Sequence, residues 1–204
     1  MAVAVAAPAS AHVSGGCRTG MLDWDTVSGG CHTSKVLPTV GGTGVTVTVM
    51  TTGDTAHANN GNVSSTTTGG KSKVMRFYDQ NGKTDTVQTI TLTFSTSVQN
   101  VSFSILDIDS LISNGTREYE DVVTILAPAW TGSKHSNVQG AGTSGSPYRA
   151  QTTSSPVAGT SAAGNVDLSF AGPLTSIVFS YAQDGKVFGD PFIGISDITF
   201  QCCS

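Results

Sequence analysis

The chain has 204 residues, of which 12% are charged and 38% are hydrophobic, and its net charge is −4. This length suits one domain with a substantial core, and a chain with so many apolar residues and so little net charge is not disordered. The 10 Lys and Arg residues form no basic cluster, which excludes a nucleic-acid-binding surface. No apolar run reaches the ~18 residues of a membrane-spanning helix.

The N-terminal segment, residues 1–11, has three interpretations, of which the simplest is an Ala/Val-rich tail with no targeting role. It consists of MAVAVAAPASA and ends in an A-x-A pattern, which is typical of a signal-peptide remnant cleaved before His12. Alternatively, its alternating Ala and Val residues suit a donor strand that pairs with the sheet edge of another subunit. Residues 12–204 are predicted to form a single domain, and the protein is expected to be secreted, extracellular or at the cell surface.

The four cysteines, Cys17, Cys31, Cys202 and Cys203, agree with export. No C-x-x-C pair suggests a zinc site or a thioredoxin-like motif. A bridge between the neighbours Cys202 and Cys203 would strain the backbone, so we expect these two thiols to reach Cys17 and Cys31. The bridges would then fasten the N-terminal segment to the last strand; reduced, buried cysteines are the alternative.

Alternation of apolar and polar residues predicts strands along the chain. The alternating segments, in chain order, are 45–49, 74–78, 87–94, 101–105, 122–126, 166–170, 177–181 and 193–200. Turn pairs such as Asn-Gly and Gly-Pro separate several of them. Residues 53–72 are predicted to be a long, polar insertion, and 131–165 a long connection in which the apolar residues Val138, Tyr148 and Val157 suggest short strands. No apolar stripe persists at helical spacing. The sequence therefore predicts an all-β fold, a single antiparallel β-sandwich of the jelly-roll type with eight to ten short strands.

A group of aspartates carries the clearest local chemistry. Asp107 and Asp109 follow the segment 101–105, and continued alternation places both on its apolar face. Asp121 opens the next strand, and a hairpin between the two strands would bring it beside the first two. Carboxylate oxygens with loop carbonyls are what calcium prefers, so the group predicts a structural calcium site. Three surface aspartates that cap turns are the alternative.

A second acidic group consists of Asp23 and Asp25, near the first strand, and Asp197, in the last. The first and last strands are expected to be neighbours, so these residues could share a second cation. Alternatively, Asp197 accepts hydrogen bonds from backbone N–H groups.

Four segments, NVSFSILDID, YEDVVTI, VDLSFAGPLTSIVFSY and IGISDITF, resemble secreted bacterial β-sandwich modules. These modules include actinobacterial exoproteins and adhesins of the carbohydrate-binding jelly-roll type. The resemblance covers mainly residues 85–126 and 165–203 and includes no catalytic motif. It implies structural calcium at Asp107, Asp109 and Asp197, and it does not specify a ligand.

An enzyme is not expected, because the sequence has no G-x-S-x-G, no H-E-x-x-H and no Gly-rich phosphate loop. The predicted function is that of a non-catalytic structural or adhesive subunit, which could self-associate into fibres through the N-terminal strand. The alternative is a calcium-dependent carbohydrate-binding module that binds extracellular or cell-surface polysaccharide. Trp130 and Tyr148 are the candidate ligand-contacting residues of that module.

Overall fold

The computed structural model describes residues 16–28, 30–79, 86–151, 156–185 and 190–203. Within these ranges the chain forms antiparallel strands and one 3-10 turn, Trp24–Thr26. The strands are β1 (Arg18–Leu22), β2 (Ser34–Pro38), β3 (Thr46–Gly53), β4 (Asn62–Ser64), β5 (Val74–Tyr78), β6 (Val87–Leu106), β7 (Ser110–Ser113), β8 (Thr116–Ala127), β9 (Thr131–Lys134), β10 (Val138–Gln139), β11 (Tyr148–Ala150), β12 (Val166–Phe170), β13 (Leu174–Gln183), β14 (Phe192–Ile195) and β15 (Ile198–Cys202). No helix among these residues is long and apolar enough to cross a membrane.

The strands form two layers joined by the long strand β6. The first layer has the order β2-β3-β6-β13-β8-β11-β10. In the second layer, β12 and then β9 lie on one side of β6, while β14 and β15 pair with its other side and lead to β5, β4 and β1. Because β6 belongs to both layers, the strands make one sheet that curls into an all-β sandwich.

A backbone irregularity at Asn100 lets β6 contribute to both layers. Phe94 and Val98 face the core on even positions, whereas Val101 and Phe103 face it on odd positions. Asn100 lies between these sets with φ +51°, a left-handed conformation that Asn tolerates better than most residues. The extra residue acts as a β-bulge, which keeps apolar side chains inside as the strand changes layers.

The core lies between the layers and is rich in aromatic rings. Phe77 packs edge-on against Phe179, and Phe103 stacks on Phe170. Trp24 is fully buried; its indole N–H donates to the Ser196 carbonyl at 2.9 Å. This bond fastens the N-terminal turn to the connection between β14 and β15.

The all-β sandwich is confirmed, but the predicted strand count is too low. The segments 87–94 and 101–105 are a single strand, and the predicted strand 193–200 is divided into β14 and β15. The connection 131–165 contains β9, β10 and β11, and 53–72 contains β4. β10 and β11 begin at Val138 and Tyr148, where short strands were expected, whereas Val157 lies in no strand. β4 and β9 were missed because they have three and four residues, too few for alternation to be visible. The predicted donor strand lies outside the described residues.

One disulfide joins the two ends of the described chain. Cys17 is bonded to Cys203, a sequence separation of 186 residues, next to the antiparallel pair of β1 and β15. This confirms that an N-terminal cysteine reaches the C-terminal pair. The second expected bridge, to Cys31, is not formed: Cys31 and Cys202 are free. The backbone of Cys31 forms an isolated antiparallel β-bridge with that of Asn62. Cys202 lies opposite Arg18 at the end of β15.

We expect Cys17→Ser to lower the free energy of unfolding by roughly 2–5 kcal/mol, because a bridge across so long a loop restricts the unfolded chain. Each kcal/mol corresponds to about 2–4 °C in Tm for a domain of this size. Calorimetry should show the loss, and peptide mapping without reductant should recover Cys17 joined to Cys203. Cys31→Ser, at an exposed free thiol, is the control and should melt like the wild type. A peptide that joins Cys17 to Cys31 would contradict the assignment.

Candidate functional site

At one end of the sandwich the core changes from apolar to polar on three neighbouring strands. The inner face of β13 continues from Phe179 to Tyr181 and Gln183, and Gln183 lies opposite Asp121 of β8. On the other side, Tyr181 lies opposite Gln88 of β6. All of these side chains are at most 3% exposed. Burying such polar groups is unfavourable unless they are hydrogen-bonded. The hydrogen bonds of these side chains therefore determine how they are arranged.

Asp121 is the centre of this polar end. Its Oδ1 accepts hydrogen bonds from the Tyr181 hydroxyl at 2.8 Å and from the Gln183 amide, and its Oδ2 accepts the backbone N–H of Asp109 at 3.0 Å. The Asp121 N–H in turn donates to the Asp109 carbonyl at 2.9 Å. The predicted hairpin therefore does bring Asp121 beside Asp109.

Asp107 and Asp109 lie just beyond the end of β6. Asp109 is 6% exposed, and its Oδ2 accepts the Val157 N–H at 2.6 Å, while the Tyr119 hydroxyl also bonds to this carboxylate. Asp107 has φ +69°, so the regular alternation ends there. Its Oδ1 is buried without a hydrogen-bond partner. The three predicted aspartates are thus brought together, although strand alternation does not extend as far as Asp107.

Burial and mutual repulsion make these carboxyl groups hard to ionise. Burial, followed by the charge of Asp109, raises the pKa of Asp107 to about 7, although Arg76 opposes the shift. Burial raises the pKa of Asp109. Burial and then the charge of Asp109 raise the pKa of Asp121 well above its usual range, even though Tyr181 and Gln183 donate to it. Protons therefore bind this cluster more tightly than they bind free aspartates.

The cluster opens to a depression of about 400 Å³ beside Glu118, Asp190 and Phe192. Across the described residues, no three His, Cys, Asp or Glu side chains are arranged to hold a metal ion. The oxygens of Asp121 already accept protein donors, whereas Asp107 Oδ1 has none. Calcium binding at this cluster stays a prediction.

The second acidic group is held by the N-terminal turn. The Asp23 carboxylate accepts the Asp25 N–H at 2.9 Å and caps the turn, and Asp197 Oδ1 accepts the Trp24 N–H at 2.9 Å. Burial, then the charges of Asp23 and Asp25, raise the pKa of Asp197. The three aspartates are thus near one another, and Asp197 has the backbone hydrogen bond that the alternative interpretation expected.

Trp130 lies on the connection between β8 and β9, where the chain passes from one layer to the other. It is partly buried against the core, and its indole N–H donates to the Tyr148 hydroxyl at 3.3 Å. Tyr148 is only 3% exposed. A Cβ at Gly132 or Gly142 would collide with its ring or hydroxyl. Tyr148 therefore supports Trp130 and offers no open ring face of its own.

Two depressions meet at Trp130. The first, of about 490 Å³, lies along the outer surface of the second layer and has polar, uncharged side chains: Asn100, Ser102, Thr131 and Ser169. The second, of about 450 Å³, lies at the open seam between the layers and includes Lys134, Gly140 and Tyr148. We call the two depressions with the indole ring between them the Trp130 face.

Sequence reasoning missed an ion-pair network on β8. Glu120 is 1% exposed and lies 2.7 Å from Arg117 and 3.5 Å from Arg149, and both arginines also approach Asp184. These contacts hold the Glu120 carboxylate inside the protein between two cations. The only sequence signal was Arg117, three residues before Glu120, because Arg149 reaches this site through the pairing of β11 with β8.

No protein-family model, no curated protein and no solved structure matches this chain.

We expect the metal-free protein to lose stability as the pH rises. A carboxyl group whose pKa is raised from 3.8 to about 7 on folding binds its proton more tightly in the folded state. Its stabilising contribution is complete below pH 3.8 and disappears as the pH passes 7. Unfolding in urea at pH 5 and pH 8 should differ by about 1–3 kcal/mol, since solvent screening reduces the ~1.4 kcal/mol expected per pH unit. Asp107→Asn should reduce this difference, and an unchanged pH dependence in the variant would contradict the assignment.

Calcium is expected to raise the Tm of the metal-free protein at pH 8, and EDTA to reverse the change, because an ion that binds only the folded state stabilises it by mass action. A cation would relieve the repulsion among Asp107, Asp109 and Asp121. Asp107→Asn should remove the response, whereas Asp167→Asn, on β12, should retain it. A melt that is insensitive to EDTA, in a protein that elemental analysis finds free of calcium, would refute the site.

Proposed function

We propose that this chain is a non-catalytic, extracellular adhesive module, and that it adheres by binding saccharides at the Trp130 face. The observation that carries the proposal is the partly exposed indole between two depressions whose described side chains are mostly uncharged. Sugar rings stack their C–H faces on aromatic side chains, and their hydroxyl groups exchange hydrogen bonds with Ser, Thr and Asn. Pockets of 300–1,000 Å³ are the usual size for small ligands.

The support beneath Trp130 favours a binding role over a purely structural one. Its indole N–H is held by Tyr148, whose own position depends on Gly132 and Gly142. A ring held in this way loses little conformational freedom when a ligand binds, and preorganisation of this kind increases affinity.

The disulfide supports an extracellular location. A Cys17–Cys203 bridge persists in oxidising compartments. The fibre hypothesis depends on residues 1–13, which lie outside the described residues, and it stays a prediction.

Trp130→Ala is expected to weaken saccharide binding at least about tenfold, the loss typical of a central aromatic contact. Binding would be found with a panel of insoluble polysaccharides and measured by calorimetry on soluble fragments of those retained. Trp130→Phe should keep part of the affinity because it preserves a ring. Leu126→Ala removes another exposed apolar side chain, 52% exposed, and is the control that should bind normally.

The melting temperature of each variant separates a lost contact from a lost fold, because Trp130 also packs on the core. Retention of wild-type affinity in folded Trp130→Ala would contradict the proposed site. Failure of the wild type to bind any polysaccharide would contradict the proposed function.

A further inference from the structure

The seam-side depression of the Trp130 face carries one cationic side chain among its described residues. Lys134 ends β9, and its ammonium group donates to the Gly140 carbonyl at 2.6 Å. Gly140 follows β10 in the other layer, so the bond crosses the mouth of the seam and places the charge at its rim. An ammonium group has three donors, so two remain for a ligand.

The charge of Lys134 is not compensated by the described part of the chain, where no carboxylate lies within 4 Å of its Nζ. The acidic residue of the neighbouring strand is Asp167. In the register of β9 and β12, Asp167 lies opposite Ser133, whereas Lys134 lies opposite Val166, which is fully buried. Adjacent strand residues point to opposite faces, so Asp167 is directed away and is occupied by His135 at 3.1 Å and by the Ser104 hydroxyl.

The two halves of the Trp130 face therefore differ in charge. The half with Ser102, Thr131 and Ser169 has no charged side chain among its described lining residues, and the half with Lys134 has one positive charge. A ligand that is complementary to both halves has an uncharged unit on one side of the ring and an anionic group on the other. Each depression is large enough for a small ligand of its own, so a ligand that spans both contains at least two sugar units.

We infer that the Trp130 face binds an acidic saccharide, with one sugar unit against the indole and the neutral hydroxyl groups and the carboxylate of the next unit paired with Lys134. This inference rests on the proposed function and specifies its ligand class. An ion pair at a solvent-exposed rim adds little affinity, and its main effect is to discriminate between charged and neutral ligands.

The test compares two pairs of probes in which methyl esterification removes the negative charge: oligogalacturonate and its methyl ester, and oligomannuronate and its methyl ester. Calorimetry at low salt is expected to show the acid form of at least one pair binding about 2–5-fold more tightly than its ester, the range of a rim ion pair. The preference should shrink in 0.5 M NaCl, because the screening length falls to a few Å.

Lys134→Met keeps the aliphatic stem and removes the charge, so it should bind the acid and the ester equally. Lys35→Met, at an exposed lysine on β2, is the matched control and should keep the preference. Trp130→Ala should weaken both forms.

Equal binding of acid and ester by the wild type, binding of neutral polysaccharides only, or a preference that survives Lys134→Met would each overturn the inference and leave saccharide binding intact. Absence of binding to every acidic and neutral saccharide would overturn the proposed function with it.

Discussion

The structure depends on one strand that serves two layers. β6 pairs with β3 and β13 over its first half and with β12, β14 and β15 over its second. An apolar face must stay inside along all 20 residues of this strand, and a flat, regular strand could not supply both layers. The bulge at Asn100 keeps the apolar side chains inside, because the buried residues have even numbers before it and odd numbers after it. The same bulge places Asn100 and Ser102 beside Trp130, so the turn between the layers also builds the candidate ligand surface.

The polar end of the core shows how buried carboxylates are tolerated. Asp121 has donors from β13 on one side and from the Asp109 backbone on the other. Removing one donor would leave a buried acceptor unsatisfied, which costs more than an average hydrogen bond contributes. Burial raises the pKa values of Asp109 and Asp121, and the neutral donors, which bring no full positive charge, lower them too little to compensate. Arg76 is the cation that acts on Asp107, and its effect is smaller than that of burial.

Strand alternation was enough to predict the fold class and most of the long strands, because each presents one apolar face over five or more residues. It could not predict β9, whose position depends on pairing with β12, and it indicated β10 and β11 only through their apolar residues Val138 and Tyr148. The aspartate cluster was predicted from the DID pattern and a hairpin, although Asp107 leaves the alternating pattern. Tyr181 and Gln183 were missed, yet both continue the buried parity of Phe179. The hydrogen bond from Lys134 to the Gly140 carbonyl had no sequence signal, because it joins two layers at an irregular connection.

The net charge of −4 does not oppose an acidic ligand at the Trp130 face. Lys134 lies opposite Val166, which lies opposite Ile105, so Asp107 is two strands across and two residues along from Lys134, about 12 Å by strand geometry. This separation exceeds the ~10 Å over which charges are screened at 0.1 M salt, and the raised pKa of Asp107 keeps part of its population uncharged near neutrality. The Glu120 carboxylate is paired with two arginines, and Asp167 is paired with His135. The charge that an anionic group meets at the seam is therefore that of Lys134, since local geometry and screening outweigh the total charge of the chain.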